Sequence, residues 1–359
     1  MESATCTRLR LYQFRCHGEV EVRLEPGWHF FLGANGQGKT SLLEALFFLS
    51  RLRSWRAGRT SDLWQHDRDT ARISADYAGQ NLAVTWRAGR RELTVDQQPV
   101  AEAAAFWGRV PTVLFLGEDR ELVTGPGQGR RTWIDGLLAK RDGAYLRAAQ
   151  AYARTLRQRN AWLKERGGDP EVGRSLTRLL TEHGRTMTRA RAAMSGPIGS
   201  ALSEACSQLT GQREIVSLDY RPSFPPQGEP DWDRVRADEG RLRHTVLGPH
   251  RDDWDLLLGE GRRSLGRFGS EGQQRTAALG LRLAEARLIR EVRGGWPLLL
   301  IDDIAPQLDE SRQVRLRELL PGEAQCFFTA PEPRGWIRPG DHAWQVAPGR
   351  VAPMDPAKT

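Results

Sequence analysis

Along residues 7–14 and 20–24 polar and apolar side chains alternate with period two, the pattern of half-buried strands, and Pro26-Gly27 marks a turn. Residues 28–32 replace the alternation with an apolar run that holds one histidine, His29, which predicts a strand buried on both faces. Residues 41–49 carry an apolar stripe at helical spacing, and 51–69, with Arg53-Ser54-Trp55-Arg56, is irregular and basic. Alternation returns over 71–77, 80–87 and 92–95, as in an antiparallel sheet, and 111–116 is a further apolar strand. A first lobe of mixed sheet is therefore expected over residues 5–120.

From about residue 126 the period changes to that of helices. Tyr145, Ala149, Tyr152, Leu156, Asn160 and Leu163 recur at spacings of three and four; so do Val172, Leu176, Leu179, His183, Met187, Ala190 and Met194. Gly167-Gly168-Asp169-Pro170 separates the two runs, so the pattern predicts an antiparallel helical hairpin whose helices are roughly 20 residues long. The second helix is expected to kink or end at Gly196-Pro197. A Pro-rich loop follows at 222–230, and sheet resumes at 255–258. A helix is then expected over 270–292, a fully apolar strand over 297–301, a helix over 310–320 and a strand over 326–329.

Composition narrows the class. The chain has 359 residues, 39% hydrophobic and 27% charged, as in a globular protein. No apolar run approaches the roughly 20 residues of a membrane span, and residues 1–6 lack the basic-then-apolar pattern of a secretion signal. The four cysteines, Cys6, Cys16, Cys206 and Cys326, are scattered without a C-x-x-C pair, which points to a reducing cytoplasm and away from a zinc site. The net charge is +8, and arginine supplies nearly all of it. Residues 126–200 hold 15 Lys and Arg against 6 Asp and Glu, so the whole excess lies in the helical segment. A polyanion-binding surface and a solvated helical face both account for that.

Three motifs carry chemistry. Gly33-Ala34-Asn35-Gly36-Gln37-Gly38-Lys39-Thr40-Ser41 fits the phosphate-loop pattern G-x-x-x-x-G-K-[ST], between a predicted strand and a predicted helix. Its glycines let backbone N–H groups converge on phosphate oxygens at a helix N-terminus. Lys39 is expected between the β- and γ-phosphates, and Thr40 on Mg²⁺. Leu298-Leu299-Leu300-Ile301-Asp302-Asp303 places a carboxylate pair at the carboxyl end of a core strand. Asp302 is the expected support of Mg²⁺, directly or through water, and Asp303 the expected general base for an attacking water. In Phe268-Gly269-Ser270-Glu271-Gly272-Gln273-Gln274-Arg275, Ser270 reads as a helix cap and Gly272 as a point of close backbone approach, together an anion site.

That last stretch resembles the S-G-G-Q signature of ABC-type ATPases, with Glu271 in place of one glycine, and Asp309, seven residues past Asp302, resembles their D-loop. The order of phosphate loop, helical insertion, signature and acidic strand is similar to the SMC-like branch. The length excludes long coiled coils, and the hairpin has no zinc hook. Further stretches narrow the resemblance: Arg130-Arg131 with Asp135; Tyr145 and Tyr152; Leu156-Arg157-Gln158-Arg159-Asn160; and Gly248-Pro249-His250-Arg251-Asp252-Asp253. Together they resemble the RecF family of bacterial DNA repair ATPases, across essentially the whole chain.

The resemblance implies an α/β ABC-type P-loop ATPase head with mixed sheets and an inserted helical hairpin domain. Its N-terminal part would span 1–125, the inserted helical arm 126–245, and the C-terminal part of the head 246–359. It also implies an ATPase that uses Mg²⁺ and dimerises on ATP. Each nucleotide would lie between Lys39 and Thr40 of one copy and Ser270, Gly272, Gln273 and Asp309 of the other. Such proteins bind DNA at gaps and single-strand/double-strand junctions, with RecR and RecO help load the recombinase RecA, and serve repair, replication restart and the SOS response. Departures from the family pattern are Glu118-Asp119 after Gly117, Pro306-Gln307-Leu308-Asp309 after the acidic pair, and the lack of both an evident Q-loop glutamine and a histidine after Phe327-Phe328, where Thr329 is the candidate sensor. These imply slow hydrolysis that acts as a timer. Two other readings are an ABC-transporter subunit, which predicts a membrane permease, and an ATP-holding adaptor without turnover. The basic insert and the missing histidine count against the first, and the pair Asp302-Asp303 against the second.

Overall fold

The computed structural model describes residues 4–64, 68–165, 168–211, 215–304, 308–320, 322–332 and 337–355. The chain forms two compact units, Met1–Glu118 with Ile289–Thr359, and Asp119–Leu288. Residues 246–288, including the signature stretch, group with the helical residues, whereas the sequence-based division assigns 246–359 to the head.

The first unit contains two six-stranded sheets. In one, β2 (His17–Arg23), β1 (Cys6–Phe14), β4 (Thr70–Tyr77), β5 (Gln80–Arg87), β6 (Arg90–Val95) and β7 (Gln98–Pro99) follow one another antiparallel. In the other, the order is β15 (Arg350–Met354), β14 (His342–Ala347), β3 (Trp28–Leu32), β13 (Cys326–Ala330), β12 (Leu298–Asp302) and β8 (Thr112–Leu116). It is parallel from β14 to β8, with β15 as an antiparallel edge. The apolar run at 28–32 is explained by this: β3 lies inside a parallel sheet, and all five of its residues, His29 included, are buried. The hairpin formed by β14 and β15 has no counterpart among the strands expected from the sequence.

Helix α1 (Lys39–Arg51) packs against strands of both sheets, so its amphipathic stripe widens to nearly the whole circumference. Leu42, Leu43, Leu46, Phe48 and Leu49 are at most 1% exposed. At about 1.5–3 kcal/mol per buried side chain, these five residues anchor the helix in the core.

The second unit contains α2 (Gly127–Arg141), α3 (Gly143–Lys164), α4 (Pro170–Thr210), α5 (Trp232–Leu242) and most of α6 (Glu271–Arg293). It also has a three-stranded sheet in the order β11 (Arg263–Ser264), β10 (Asp253–Leu258), β9 (Val216–Arg221). The sheet pattern read at 255–258 is therefore a separate small sheet in this unit. Asp169 caps α4 through the Glu171 N–H at 2.8 Å, with Pro170 in the first turn. Gly167 lies outside the described residues.

Of the kink or end expected at Gly196-Pro197, the end is overturned: α4 runs on to Thr210. Pro197 forgoes one backbone bond, whereas Ile198, Leu202, Ala205, Cys206 and Leu209 are buried at 1% or less on the continuing face and hold it helical.

The unit also consumes part of the positive charge that the sequence concentrates in 126–200, so that charge is not all on a solvated face. Lys140 pairs with Glu285 at 2.8 Å with both side chains 1% exposed, and Arg159 with Glu239 at 2.6 Å with both at 5%. Arg191 meets Asp252 at 2.7 Å and Asp135 at 2.6 Å, and also donates to Tyr145 Oη and the Pro249 carbonyl. Arg130 is held by Asp253 at 2.7 Å. Tyr152 Oη meets His250 Nδ1 at 2.7 Å, so the two tyrosines and the 248–253 stretch, which contributed to the family resemblance, form a polar network within this unit.

Candidate active site

The phosphate loop joins β3 to α1. Gly33 has φ +151, and a Cβ there would fall 2.4 Å from the Val346 carbonyl oxygen. Gly36 and Gly38 have φ +82 and +96, left-handed values that favour glycine. A Cβ on Gly38 would meet Cys16 Sγ at 2.4 Å and His17 Nε2 at 2.6 Å, so the β1–β2 turn is the platform under the loop. His17 donates from Nε2 to the Gly38 carbonyl at 3.1 Å, and burial holds its pKa below the usual range. No side chain caps α1, and its first turn holds no acid, so the N–H groups of Lys39 and Thr40 stay available to an anion, while the Ser41 N–H donates to the Gly38 carbonyl at 3.0 Å. Ala34, Asn35 and Gly36 are exposed, Gln37 half-buried, and Ser41 buried.

Lys39 is buried and folds back on the loop, donating to the carbonyls of Gly33 at 2.5 Å and Ala34 at 2.9 Å. Burial lowers its pKa, and the charges of Asp303 and Asp302 oppose that shift. Thr40 donates to Asp302 Oδ1 at 2.9 Å. The same oxygen accepts from Thr329 Oγ1 at 2.6 Å, and Thr329 in turn accepts from the Asp303 N–H at 3.1 Å. Asp302 Oδ2 takes no bond among the described residues. Burial raises the Asp302 pKa, the two threonine hydroxyls and Arg56 lower it, and Asp303 raises it further.

Asp303 is exposed and sits at φ +48, a left-handed conformation that Asp tolerates better than most residues. Thr329 reaches the site because β13 lies between β3 and β12, pairing Asp302 with Thr329 and Thr329 with Phe31 in register. The acidic strand is thus one strand removed from the phosphate-loop strand, and the intervening strand supplies the hydroxyl. Position 329 follows Phe327-Phe328, where a histidine was sought, and that is its only sequence signal.

A second network was not legible in the sequence. Glu44 of α1, fully buried, takes Arg15 at 2.8 and 2.6 Å and accepts from Ser54 Oγ. Ser54 Oγ then accepts from the N–H groups of Arg56 and Ala57, each at 2.8 Å. The basic stretch after α1 is thereby tied to the phosphate-loop helix, with Arg56 near enough to bias Asp302.

The remaining candidates stand elsewhere. Ser270 and Gln273 form a reciprocal cap at the start of α6: Ser270 Oγ accepts from the Gln273 N–H at 3.2 Å, and Gln273 Oε1 from the Ser270 N–H at 2.8 Å. Gly272 lies in that first turn, and its carbonyl accepts from Thr276 at 2.9 Å. Glu271, which replaces a signature glycine, points to Arg275 at 2.8 Å and Arg120 at 3.2 Å. Asp309 caps α7 (Glu310–Leu319) through the Arg312 N–H at 2.9 Å. Pro306 and Gln307 lie outside the described residues. Ser270, Gly272 and Gln273 belong to the second unit, and Thr40 and Asp302 to the first. No group of His, Cys, Asp and Glu able to hold a metal by itself occurs among the described residues. No described helix is long and apolar enough to cross a membrane.

Residues 8–69 match the family described as AAA domain. The DNA replication and repair protein RecF of Synechococcus sp. (strain JA-3-3Ab) is 36% identical over 372 residues, covering 96% of this chain and 97% of that one. The RecF protein of Rippkaea orientalis is 35% identical over 350 residues, covering 89% and 91%. Among solved structures, the recombination mediator protein RecF-ATP of the RecFOR pathway superposes with a TM-score of 0.88 at 24% identity, covering 98% of each chain. The Smc head domain of Pyrococcus furiosus does so at 0.56 and 16% identity, which places the fold with ABC-type heads. The chain belongs to the RecF family of DNA replication and repair proteins.

Proposed function

We propose that this DNA repair protein binds ATP with Mg²⁺ in the loop 33–41, closes into a homodimer on DNA, and reopens on hydrolysis. The observation that carries the reading is the meeting of Thr40 and Asp302, 262 residues apart, at 2.9 Å beside an uncapped helix N-terminus. Hard oxygen donors suit Mg²⁺, and the unshared Oδ2 of Asp302 leaves room for it or for a water of its shell. When bound, Mg²⁺ supplies charge neutralisation at the β- and γ-phosphates. Lys39 exchanges two backbone carbonyls for phosphate oxygens. Thr329 orients Asp302 and the Asp303 backbone. Asp303, exposed at the strand end, takes the proton of the attacking water on its carboxylate. Ser270, Gly272, Gln273 and Asp309 of a second copy complete the nucleotide site in trans, in keeping with the family resemblance.

DNA contact is made to phosphates, and so is salt-sensitive and weakly sequence-specific. Exposed arginines such as Arg154, Arg157 and Arg189 are available for it, whereas Arg130, Arg159 and Arg191 are engaged in internal ion pairs. Acting in the cytoplasm with RecR and RecO, the protein helps load RecA at gaps. Light scattering with ATP, with and without a gapped duplex, tests the dimer. Ser270→Arg should retain ATP binding and lose ATP-dependent dimerisation; an unchanged dimer overturns the in-trans site, and loss of ATP binding in wild type overturns the whole reading.

A further inference from the structure

The geometry points to a docking groove on the helical unit for an acidic segment of a partner protein that inserts an aromatic or branched aliphatic side chain. The groove, a cleft of about 1150 Å³, lies between the end of α3, the first half of α4, and α5. It requires neither nucleotide nor dimer.

Its apolar lining is half-buried and fixed. Trp162 lies face-on to Gly173, where a Cβ would fall 2.4 Å from the ring, and donates its N–H to the Asp169 carbonyl at 3.1 Å. Trp232 donates to Thr181 at 3.0 Å, carries the Arg159 guanidinium 4.7 Å above its ring, and meets Phe224 edge-on at 5.7 Å. Leu163 lines the cleft beside them. The lining also holds five arginines besides Arg159. Arg174, Arg178, Arg236 and Arg243 are exposed and Arg185 is half-buried. Arg178 and Arg243 have no ion pair among the described residues. Arg174 and Arg236 pair with Glu171 and Asp233 on exposed surface, where such pairs exchange at little cost, and half-buried Arg185 pairs with exposed Glu229. Of the lining carboxylates, Glu239 is spent on the buried Arg159, leaving Glu182 and Glu229 against the five arginines.

An apolar centre ringed by cations is the anatomy of a protein-docking site. A single nucleic-acid strand fits less well. One face of Trp162 is covered by Gly173 and Trp232 is flanked by Arg159 and Phe224, whereas base stacking needs open ring faces. A phosphate backbone also carries its charges at fixed spacing past Glu182 and Glu229, whereas a peptide can place its acids opposite the arginines alone.

The test pans a random dodecapeptide display library on the full chain. Fluorescein-labelled winners are then titrated by anisotropy against wild type and the Arg178→Glu/Arg243→Glu variant, with labelled oligo-dT as a comparison ligand. Acidic peptides with an apolar anchor should be enriched. They should bind the variant roughly tenfold more weakly, weaken with salt, and lose roughly tenfold when the anchor becomes alanine. Both arginines are exposed, so the variant should melt with wild type; if it does not, Arg178→Gln/Arg243→Gln replaces it. Peptides without acidic bias, peptides bound equally by the variant, or an oligo-dT signal that alone depends on these arginines would each overturn the proposal.

Discussion

Asp302→Asn separates what the carboxylate does for the fold from what it does for the ligand. In the free protein Asp302 is a partly buried charge whose pKa burial and Asp303 raise, and Thr40 and Thr329 offset that only in part. A carboxyl whose folded pKa lies above its unfolded value stabilises the fold at low pH, and that contribution is lost as pH rises through the folded pKa. At neutral pH the ionised group is therefore a net cost. Asparagine keeps an acceptor oxygen for both hydroxyls, at 2.9 and 2.6 Å in wild type, while it removes the buried charge and its repulsion by Asp303. The free variant should be more stable by on the order of 1 kcal/mol, or roughly 2–4 °C for a unit of this size. Scanning calorimetry from pH 4 to 8 should show the gain only toward neutrality. In the same scans Mg²⁺ with ATP should raise the melting temperature of wild type and leave the variant unmoved. A variant that is less stable at pH 7, or one with the wild-type pH profile, would refute the reasoning that this carboxylate is held at a cost for its ligand.

Four further outcomes are expected. Asp303→Asn should retain ATP affinity and accumulate the ATP-bound dimer on DNA, and phosphate release at the wild-type rate would remove Asp303 from the role of base. Thr329→Val deletes a hydroxyl that serves both acids; turnover should fall more than ATP affinity does, and equal losses would make Thr329 a simple packing residue. Gly38→Ala at φ +96, with Cys16 and His17 in the way, should cost about 2–5 kcal/mol in urea denaturation and abolish nucleotide binding. His29 is fully buried, donating from Nε2 to the Glu25 carbonyl at 2.7 Å and accepting the Trp344 N–H on Nδ1 at 3.2 Å, and its pKa falls from 6.5 to about 4. The fold therefore holds it neutral: its stabilisation is complete above pH 6.5 and is lost as pH falls toward about 4, a span on the order of 3 kcal/mol. Replacing His29 by Gln should flatten that limb of the stability profile.

The sequence by itself determined the elements whose causes are local. A glycine loop ending in Lys39-Thr40, four aliphatics followed by Asp302-Asp303, and a serine before the helix at 271 each specify conformation within a few residues. They were legible as motifs, and their order carried the family. Periodicity likewise placed most strands and the two long arm helices, because each side chain's burial follows from its position in the repeat.

Tertiary structure decided what depends on partners far along the chain. The order β3, β13, β12 puts Thr329 between the phosphate-loop strand and the acidic strand, and strand order is set by which edges bury together. Pro197 reads locally as a stop, yet the buried face from Ile198 to Leu209 outweighs one missing hydrogen bond. Arginines that share a period on a helix are equivalent in the sequence. In the fold, Arg159 and Arg191 find buried carboxylates at positions 239 and 252, whereas Arg178 stays exposed. A charge's neighbours, unlike its helix, are chosen by packing across the whole unit. For that reason the phosphate-loop motif could be read from residues 33–41 alone, while the second threonine on the Asp302 carboxylate and the groove on the arm emerged only from the folded chain.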